Sequence, residues 1–492
     1  MFPADRPDPP RTLGEAAAQI DALWVGVGAL RDQNDELRAQ NQELLDRLDK
    51  NSRNSSKPPS SDSTSQKKNR PRRPGSRGKS PRRKGAQPGH RKHERALLPE
   101  SEVDEIHRYF PPALCGCGTA LVIDAEPACR HQVFDLPVVR YTCAEHQLFG
   151  GGCPGCGDRH VARIPQTVPS GQMGPGLVAW IALMGGAHRS SIRQIQRLLA
   201  EQWGLAFSTG AISEAQGLAC RALSAPYEAI AEHVRGAAVA HADETRHPRG
   251  GNREHAGSWW LWAMVTTQAT FLGVHFSRGM AAAAELLGHF GGFLVTDDYV
   301  GYNGVPSTRR QLCWSHMIRH FTAIAERSGV GGQIGRRLLL LARAVIRTRH
   351  RLDDGRLDET RYRRRMQRLR RSICKQIERG AALAPDSRTG RQCRHLLKRE
   401  SMLWTFLADR RIPLDNNRAE RALRPYVIWR KLSFASHSRR GDRFRAQVLS
   451  VSETARQQDV PLYPFLRRIC TEVLSAEGVT TRLPLGTARL PG

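Results

Sequence analysis

The sequence is poor in acidic residues for its content of basic ones. Its 492 residues include 47 Asp and Glu against 76 Lys and Arg, a net charge of +29. This imbalance excludes an ordinary cytosolic enzyme and predicts a polyanionic partner, either nucleic acid or an anionic membrane surface. The apolar share of 39% excludes wholesale disorder. The length allows roughly three to five domains.

Long apolar runs and a secretion signal are also missing. The uncharged stretch 165–188 has an apolar part of only residues 176–187, too short to span a bilayer. Residues 1–11 are polar and contain no apolar core of a signal peptide. We therefore expect no membrane partner and a cytoplasmic location, where thiols stay reduced. The odd number of cysteines, 11, favours metal ligands or free thiols over a disulfide framework.

Much of the positive charge lies in one segment. Residues 67–95 contain 13 Lys and Arg and one acidic residue, Glu94. We interpret residues 51–100 as a disordered basic linker that follows a phosphate backbone with little sequence preference, with a merely solvated linker as the alternative. The candidate DNA-binding residues of this linker are Arg72, Arg73, Arg82, Arg83 and Lys84.

Residues 12–50 have the seven-residue repeat of a leucine zipper. One seam consists of leucines, and the other includes two asparagines, which fix register in parallel dimers. The pattern predicts a homodimer or higher oligomer, and the alternative is an amphipathic helix packed on its own domain. The seam positions are Leu23, Leu30, Leu37 and Leu44, with Ile20, Val27, Asn34, Asn41 and Leu48.

Residues 101–165 resemble a small zinc-finger-like domain. Cys115 and Cys117 form one Gly-containing turn, and Cys153 and Cys156 form a second. Two such turns supply the four ligands of one structural Zn²⁺. The pair Cys143 and His146 could replace one of them. Short strands are expected at 132–137 and 138–141.

Residues 170–235 are helical by their apolar period. Helices are expected at 191–204 and 205–220, with a turn at Gly204 and with Ser208 or Thr209 as the N-cap of the second. The pair is either a helix-turn-helix or a plain helical layer between modules.

Residues 236–445 have the element order of a ribonuclease-H-like core. Three antiparallel strands, a helix, a fourth strand, a fifth strand and a helix are expected in turn. Their predicted ranges are 237–245, 258–267, 269–277, 280–290, 293–296, 310–314 and 317–327. A helical insertion at about 328–410, rich in arginine, is expected to be either a DNA-contacting surface or a solvated face, and residues 446–492 to be a C-terminal helical segment and tail.

Three carboxylates fit a metal site in this core. Asp243 ends the first predicted strand and Asp297 follows the fourth, while Glu420 lies in a later helix. Carboxylates at neighbouring strand ends can share Mg²⁺ and cleave or join phosphodiesters. The alternatives are strand-end caps for the aspartates and a surface ion pair with Arg424 for Glu420.

Four motifs in this order resemble the bacterial insertion-sequence 66 family of transposases. They are Asp-Glu-Thr at 243–245, Thr-Asp-Asp-Tyr at 296–299, Cys-Trp-Ser-His at 313–316 and the segment 415–425. The flanking Asn-Ser-Ser-Lys-Pro-Pro at 54–59 and Gly-Ala-Gln-Pro-Gly-His at 85–90 fit the same family. The resemblance covers roughly residues 20–475.

The resemblance implies a multidomain α+β protein, a Mg²⁺-dependent transposase with Asp243, Asp297 and Glu420 as its catalytic carboxylates. It implies that the protein binds the terminal inverted repeats of its element and target DNA in the bacterial nucleoid, with accessory proteins encoded in the same element. Cys313 and His316 would position the DNA strand or pack behind the metal site. The expected DNA contacts in the core are Arg421, Arg424, Arg430 and Lys431.

Three positions depart from the family pattern. Asp298 replaces a glycine and adds a carboxylate beside Asp297, the first cysteine turn has one residue between its thiols, and Leu432 replaces an asparagine. None removes a catalytic carboxylate. The competing functions are a catalytically inactive DNA-binding repressor and a nuclease that cuts DNA junctions without joining.

Overall fold

The computed structural model describes most of the chain from residue 96 onwards. The described residues are 12–14, 23, 27, 30, 33, 34, 37, 96–136, 140–169, 171–250, 257–475 and 478–485. The linker residues Arg72, Arg73, Arg82, Arg83 and Lys84 lie outside them.

Part of the predicted zipper is described. Leu23, Val27, Leu30 and Leu37 are helical, and their side chains are between 37% and 54% exposed. Asn34 is also helical and exposed, whereas the rest of the two seams lies outside the described residues. This part of the seam therefore has no partner surface within the described chain.

A five-stranded mixed sheet lies at the centre of the protein. Its strand order is β5-β4-β3-β6-β7; β3 to β5 form an antiparallel meander, and β6 and β7 run parallel to β3. A separate hairpin consists of β1 and β2. The strands are β1 (Gly150–Gly152), β2 (Arg159–Val161), β3 (Val239–Arg249), β4 (Gly257–Val265), β5 (Thr270–His275), β6 (Phe293–Thr296) and β7 (Arg310–Leu312).

Helices surround this sheet and form most of the remaining structure. Between residues 171 and 475 they are α1 (Pro175–Gly185), α2 (Ile192–Trp203), α3 (Thr209–Arg235), α4 (Met280–Leu287), α5 (Trp314–Ala325), α6 (Gly329–Asp353), α7 (Glu359–Ala381), α8 (Arg388–Leu397), α9 (Asn417–Leu432), α10 (Arg439–Gln457) and α11 (Leu462–Leu474). Among the described residues no helix is long and apolar enough to cross a bilayer.

The two ends of α2 confirm the predicted boundaries of the first helix in this region. Ser191 and Gln194 form a capping box at the start of α2, and Gly204 ends that helix with φ +66°. Ser208, not Thr209, is the N-cap of α3. However, α3 continues to Arg235 instead of ending near residue 220, because its apolar side stays buried through Val234.

Two hydrophobic clusters hold the helices to the sheet. The larger one joins α1 to α4, α9 to α11 and strands β3 to β6. The smaller one joins α5 to α8 with Val295 of β6 and the end of β7. Residues 445 and 446, on either side of the last predicted domain boundary, both lie within α10, whose buried residues belong to the larger cluster.

Residues 96–169 bury no side chain within the described part of this segment. The strands expected at 132–137 and 138–141 are absent from its described residues; the short strands β1 and β2 instead flank the turn of Cys153 and Cys156. The described residues 132–136, 140 and 141 are not buried, so no neighbouring layer stabilises a strand there, and residues 137–139 lie outside the described part of the chain.

A buried polar group fixes α10 to β3. His247 donates or accepts through Nδ1 with the Tyr426 hydroxyl, and its Nε2 lies 2.8 Å from Asp442 Oδ1. Arg249 Nε is 3.3 Å from the other carboxylate oxygen. Burial raises the pKa of Asp442, but the hydrogen bonds of His247 and Ser436 and the charge of Arg249 outweigh it, so the pKa lies below its ordinary value.

Replacing Asp442 with alanine should destabilise the fold by about 3–5 kcal/mol, because it leaves His247 and Arg249 buried without their carboxylate. Urea unfolding at neutral pH measures the change. The matched control is Glu359→Ala, which breaks an exposed pair with Arg363 and should cost less than about 1 kcal/mol. An equal decrease in the free energy of unfolding in the two variants would show that the buried Asp442 group stabilises the fold no more than an exposed ion pair does.

Candidate active site

The parallel pairing of β3 with β6 places two aspartates side by side. His241 lies opposite Val295 in this register, and Asp243 and Asp297 each follow two residues later. In parallel strands, two residues that follow paired residues by the same number of positions lie next to each other and on the same face of the sheet. The sequence predicted that Asp243 ends its strand. This was wrong, because β3 continues to Arg249 as the partner of β4. Only its pairing with β6 stops before Asp243.

Each aspartate has one anchored and one open carboxylate oxygen. Asp243 Oδ1 accepts the backbone N–H of Glu244 at 2.9 Å, and Asp297 Oδ1 accepts that of Tyr299 at 3.0 Å. No hydrogen bond from a described residue reaches Oδ2 of either side chain. Both carboxylates are therefore oriented by the backbone and keep a free oxygen for a ligand.

Glu420 is brought to the same edge by the start of α9. Asn416 donates from Nδ2 to the Ala242 carbonyl at 2.8 Å, and its Oδ1 lies 3.1 Å from His241 Nδ1. The backbone N–H of Asn416 also donates to Cys313 Sγ at 3.2 Å. These contacts fix the first turn of α9 against β3, directly beside Asp243.

The start of α9 uses both Asp415 and Asn416, although we expected only one of them to cap the helix. Asn416 occupies the N-cap position but uses its side chain across to β3. Asp415 Oδ1 instead accepts the backbone N–H of Asn417 at 3.0 Å. Both residues are needed, one to satisfy the helix start and one to attach it to the sheet.

The surroundings of Glu420 are basic. Its Oε1 lies 3.8 Å from His316 Nε2 and 3.9 Å from Arg319 Nη2, both on α5. Within the described residues it forms no ion pair with Arg424, the surface partner considered from the sequence. Its side chain is 41% exposed, so solvent and a substrate can reach it.

Burial, together with neighbouring carboxylates, disfavours the charged forms of these three side chains. Burial, and then the charges of Glu244, Asp297 and Glu420, raise the pKa of Asp243 well above its usual range despite the hydrogen bond from Glu244. Burial likewise raises the pKa of Asp297, and the arginines around it only partly offset this. Burial also raises the pKa of Glu420; the charge of Arg319 opposes this, and those of Asp415 and then Asp297 add to it.

This donor set fits a hard divalent cation such as Mg²⁺. Open carboxylate oxygens that repel one another are the ligands that such an ion prefers and whose repulsion it relieves. The described residues contain no group of three or more His, Cys, Asp or Glu side chains already gathered as a metal cage. The fit thus concerns the chemistry of the donors and their common edge.

Asp298 has a different role from its neighbour Asp297. Its carboxylate receives the guanidinium of Arg399, and His395 Nε2 lies 3.2 Å from Oδ2. Arg399 and His395 belong to the end of the helical insertion, about a hundred residues further along the chain. Asp298 therefore attaches the insertion to the loop after β6, whereas the carboxylate of Asp297 stays open.

Two buried groups around the aspartates were missed by sequence reasoning. Glu244, the second residue of the Asp-Glu-Thr motif, accepts Arg278 at 2.7 Å and the Tyr302 hydroxyl at 2.8 Å. The buried Arg310 guanidinium donates to the Asp297 carbonyl at 3.1 Å and to the Tyr299 carbonyl at 2.8 Å. Burial lowers the pKa of Arg310 to about 10. An arginine at the start of a short predicted strand was the only available signal.

Cys313 and His316 occupy different environments. Cys313 is fully buried, and burial raises the pKa of its thiol to about 11. His316 faces Glu420, and burial together with Arg319 and His320 lowers its pKa to about 4, so its imidazole is neutral at pH 7. His316 Nδ1 is buried without a hydrogen-bond partner in the described residues.

The predicted basic contacts of α9 are not equivalent. Arg421, Arg424 and Lys431 are exposed. Arg430 is half-buried and donates to Thr245 Oγ1 at 3.0 Å, on the strand that carries Asp243. Three of the four are thus available to a ligand, and the fourth also supports β3.

The four predicted zinc ligands lie in two turns. Gly118 and Gly157, with φ of +85° and +80°, follow the two cysteine pairs. A hydrogen bond with Thr119 lowers the pKa of Cys117 to about 7, and the backbone N–H groups of Cys156 and Gly155 lower that of Cys153. Among the described residues, however, no three of these four thiols lie close enough together to form a metal-binding group.

The chain is similar to known proteins over much of its length. A family model described as "Transposase IS66 family" matches residues 170–443, and one described as a "Family of unknown function" matches residues 4–96. In Sinorhizobium fredii, "Uncharacterized protein y4hP" is 27% identical over 349 residues, covering 64% of this chain and 62% of the relative. "Uncharacterized protein y4qI" is 26% identical over 274 residues, with 50% and 49% covered. The chain spans less than two thirds of the length of each relative.

Neutralising Asp243 should stabilise the metal-free protein. The pKa of Asp243 is higher in the folded chain than in the unfolded chain. Its ionisation therefore lowers the free energy of unfolding. This loss is absent below the ordinary pKa of an aspartate, grows as the pH rises above that value and is complete above the folded pKa. In EDTA at pH 8, Asp243→Asn should therefore raise Tm by on the order of 2–4 °C.

Differential scanning fluorimetry tests this, with Asp409→Asn as the matched control. Hydrogen bonds from Arg411 lower the pKa of Asp409, so its neutralisation should not raise Tm. Addition of Mg²⁺ should raise the Tm of the wild-type chain more than that of Asp243→Asn. A lower Tm for Asp243→Asn in EDTA would contradict a destabilising charge at Asp243.

Proposed function

The chain belongs to the IS66 family of transposases, and on that premise we propose that it cleaves the ends of an insertion sequence and joins them to target DNA. Asp243, Asp297 and Glu420 would be its catalytic carboxylates. The observation that carries the proposal is the common edge on which β3, β6 and α9 present these three side chains. The order of the five strands supports a ribonuclease-H-like core for this site.

The three carboxylates would hold Mg²⁺ through their open oxygens. When bound, the metal would supply activation of the attacking oxygen and stabilisation of the leaving oxygen of a phosphodiester. The protein's own contribution is orientation. Backbone N–H groups fix Asp243 and Asp297, and Asn416 fixes the helix of Glu420.

Basic side chains near Glu420 would position the DNA strand. Arg319 is half-buried 3.9 Å from Glu420 and can hold a phosphate oxygen beside the carboxylates. The neutral His316 imidazole can accept or donate a hydrogen bond without adding charge. Cys313, buried behind the start of α9, is a packing residue in this account.

The helical insertion offers a basic surface for the DNA backbone. On α7, five basic residues recur on one side of the helix at spacings of three or four, and none has a carboxylate partner in the described part of the chain. Such a stripe matches a line of phosphates. These residues are Arg364, Arg368, Arg371, Lys375 and Arg379.

The N-terminal helix would pair two protomers. Leu23, Leu30 and Leu37 are exposed along one seam, which a parallel coiled coil would bury. Two paired protomers would hold the two ends of the element together, and the basic segment that follows would bind terminal DNA.

Removal of any catalytic carboxylate should abolish strand transfer while DNA binding survives. We expect Asp243→Asn, Asp297→Asn and Glu420→Gln each to lower Mg²⁺-dependent strand transfer of DNA carrying the element ends by at least about a thousandfold. Electrophoresis of the joined products measures this, and fluorescence anisotropy measures DNA binding.

Asp409→Asn, a surface variant paired with Arg411, should keep both activities. Unchanged strand transfer in all three carboxylate variants would refute the assignment. DNA binding by a wild-type chain that neither cleaves nor joins would favour a repressor, and cleavage without joined product would favour a nuclease.

We also propose that Zn²⁺ joins the two cysteine turns of residues 101–165. The low pKa values of Cys117 and Cys153 favour thiolates, which zinc requires. The absence of any buried side chain in the described part of residues 96–169 supports the proposal too, because a small domain without a core needs a metal to fold.

Purified protein should contain about one zinc ion per chain, and Cys153→Ser should lose it. Atomic emission spectroscopy measures the metal content, and proteolysis with and without a chelator measures protection of residues 96–169. Cys129→Ser, at a cysteine outside both turns, is the matched control and should keep the metal. Zinc content that is unaffected by Cys153→Ser would contradict this site.

A further inference from the structure

One arginine joins the two residues whose backbone N–H groups orient the candidate aspartates. The N–H of Glu244 donates to Asp243 Oδ1. The N–H of Tyr299 donates to Asp297 Oδ1. Arg278, 34 residues after Glu244 and 21 residues before Tyr299, contacts both of them. The two aspartates are therefore connected through Arg278 as well as through the pairing of β3 with β6.

The contact of Arg278 with Glu244 uses two nitrogens of the guanidinium group. Nε and Nη2 donate to Glu244 Oε1 at 2.9 Å and 2.7 Å. The Tyr302 hydroxyl donates to Oε2 at 2.8 Å, so both oxygens of this carboxylate have donors. The Glu244 side chain is only 1% exposed. Because buried, charge-assisted hydrogen bonds are strong and directional, Glu244 is held through its side chain as well as through its place in β3.

Two contacts join Arg278 to Tyr299. The guanidinium carbon lies 3.9 Å from the centre of the Tyr299 ring, an arrangement that cation–π attraction stabilises. The Tyr299 hydroxyl donates to the Arg278 carbonyl at 2.9 Å. The ring fits beside this backbone because residue 301 is a glycine: a Cβ at Gly301 would lie 2.6 Å from Tyr299 Cε1 and 3.1 Å from the Arg278 carbonyl oxygen.

The loop that carries Arg278, residues 276–279, is itself attached to the sheet. The indole N–H of Trp262, which is buried on β4, donates to the Ser277 carbonyl at 3.2 Å. The backbone N–H of Gly279, the N-cap of α4, donates to Ser277 Oγ at 2.9 Å. The guanidinium carbon of Arg278 also lies 4.6 Å from the centre of the Trp260 ring of β4. Arg278 therefore extends from a fixed point of the fold.

We infer that Arg278 is a positioning residue of the candidate active site. It holds Glu244 and Tyr299 in place, and the backbone N–H groups of these two residues in turn orient the two aspartates. The inference rests on the proposed function, in which these aspartates bind Mg²⁺. The alternative role is compensation of the Glu244 charge, which any cation at position 278 would supply. The contacts favour positioning, because aligned nitrogens and stacking on an aromatic ring are properties of a guanidinium and not of a point charge.

The Mg²⁺ affinity of the full chain without DNA tests this inference. Arg278→Lys keeps the charge but loses the paired nitrogens and the planar group that lies on the Tyr299 ring. It should raise the Kd for Mg²⁺ by about tenfold, a typical effect for a residue that orients metal ligands. The dependence of Tm on Mg²⁺ concentration gives this Kd. The Mg²⁺ concentration for half-maximal strand transfer should rise by the same factor.

Arg278→Gln separates orientation from charge. Loss of a positive charge would by itself strengthen the binding of a cation nearby, whereas loss of orientation weakens it. We expect Arg278→Gln to bind Mg²⁺ more weakly than the wild-type chain. The same Tm measurements give its Kd.

Arg235→Lys is the matched control for both variants. The guanidinium carbon of Arg235 likewise lies over an aromatic ring, 5.3 Å from the centre of Phe271, and its Nη1 is 3.4 Å from a carboxylate oxygen of Glu232. Within the described part of the chain, however, its hydrogen bonds reach neither Glu244 nor Tyr299. Whatever its effect on Tm in EDTA, Arg235→Lys should leave the Kd for Mg²⁺ unchanged.

Three results would overturn the inference but leave the proposed function standing. They are an unchanged Kd for Mg²⁺ in Arg278→Lys, tighter Mg²⁺ binding by Arg278→Gln, and equal weakening by Arg235→Lys. Weaker DNA binding by Arg278→Lys in EDTA, with an unchanged Kd for Mg²⁺, would make Arg278 a DNA contact and overturn the inference as well. A wild-type chain whose Tm does not depend on Mg²⁺ would overturn both the inference and the proposed metal site.

Discussion

The burial of carboxylates at the edge of the sheet where β3 pairs with β6 is the constraint on which the rest of the structure depends. The parallel register places Asp243 and Asp297 side by side at one edge of the sheet. Asn416 adds Glu420 to it by attaching α9 to Ala242 and His241. Without a bound cation, this site therefore lowers the stability of the fold, as is common at functional sites.

Two other acidic groups near this edge have basic or hydroxyl partners. Glu244 is held by Arg278 and Tyr302, and Asp298 is held by Arg399 and His395. Arg310 stabilises the loop after β6 through backbone carbonyls and leaves the Asp297 carboxylate open. This division explains how two adjacent aspartates can differ in role, since one is committed to the helical insertion and the other remains available.

The sequence predicted the sheet better than the contacts around it. The strand Phe293–Thr296 was predicted with its observed bounds, because glycines precede it and aspartates follow it. The polar residues after Thr245 hid the continuation of β3, which depends on pairing with the tryptophan-rich β4. The approach of Asp298 to Arg399 spans 101 residues of chain and has no local signal. The candidate carboxylates could be named from motifs, but the attachments that orient them could not.

Metal-specific rescue of an altered ligand tests the central claim most directly. A thiolate is a softer ligand than a carboxylate and binds Mn²⁺ more readily than Mg²⁺. The chain with Asp297→Cys should therefore fail to cleave DNA carrying the element ends in Mg²⁺ and should regain cleavage in Mn²⁺, whereas Asp298→Cys should show no such metal dependence. Equal activity of Asp297→Cys in both metals, or rescue at Asp298 instead, would contradict the assignment of Asp297 as a metal ligand.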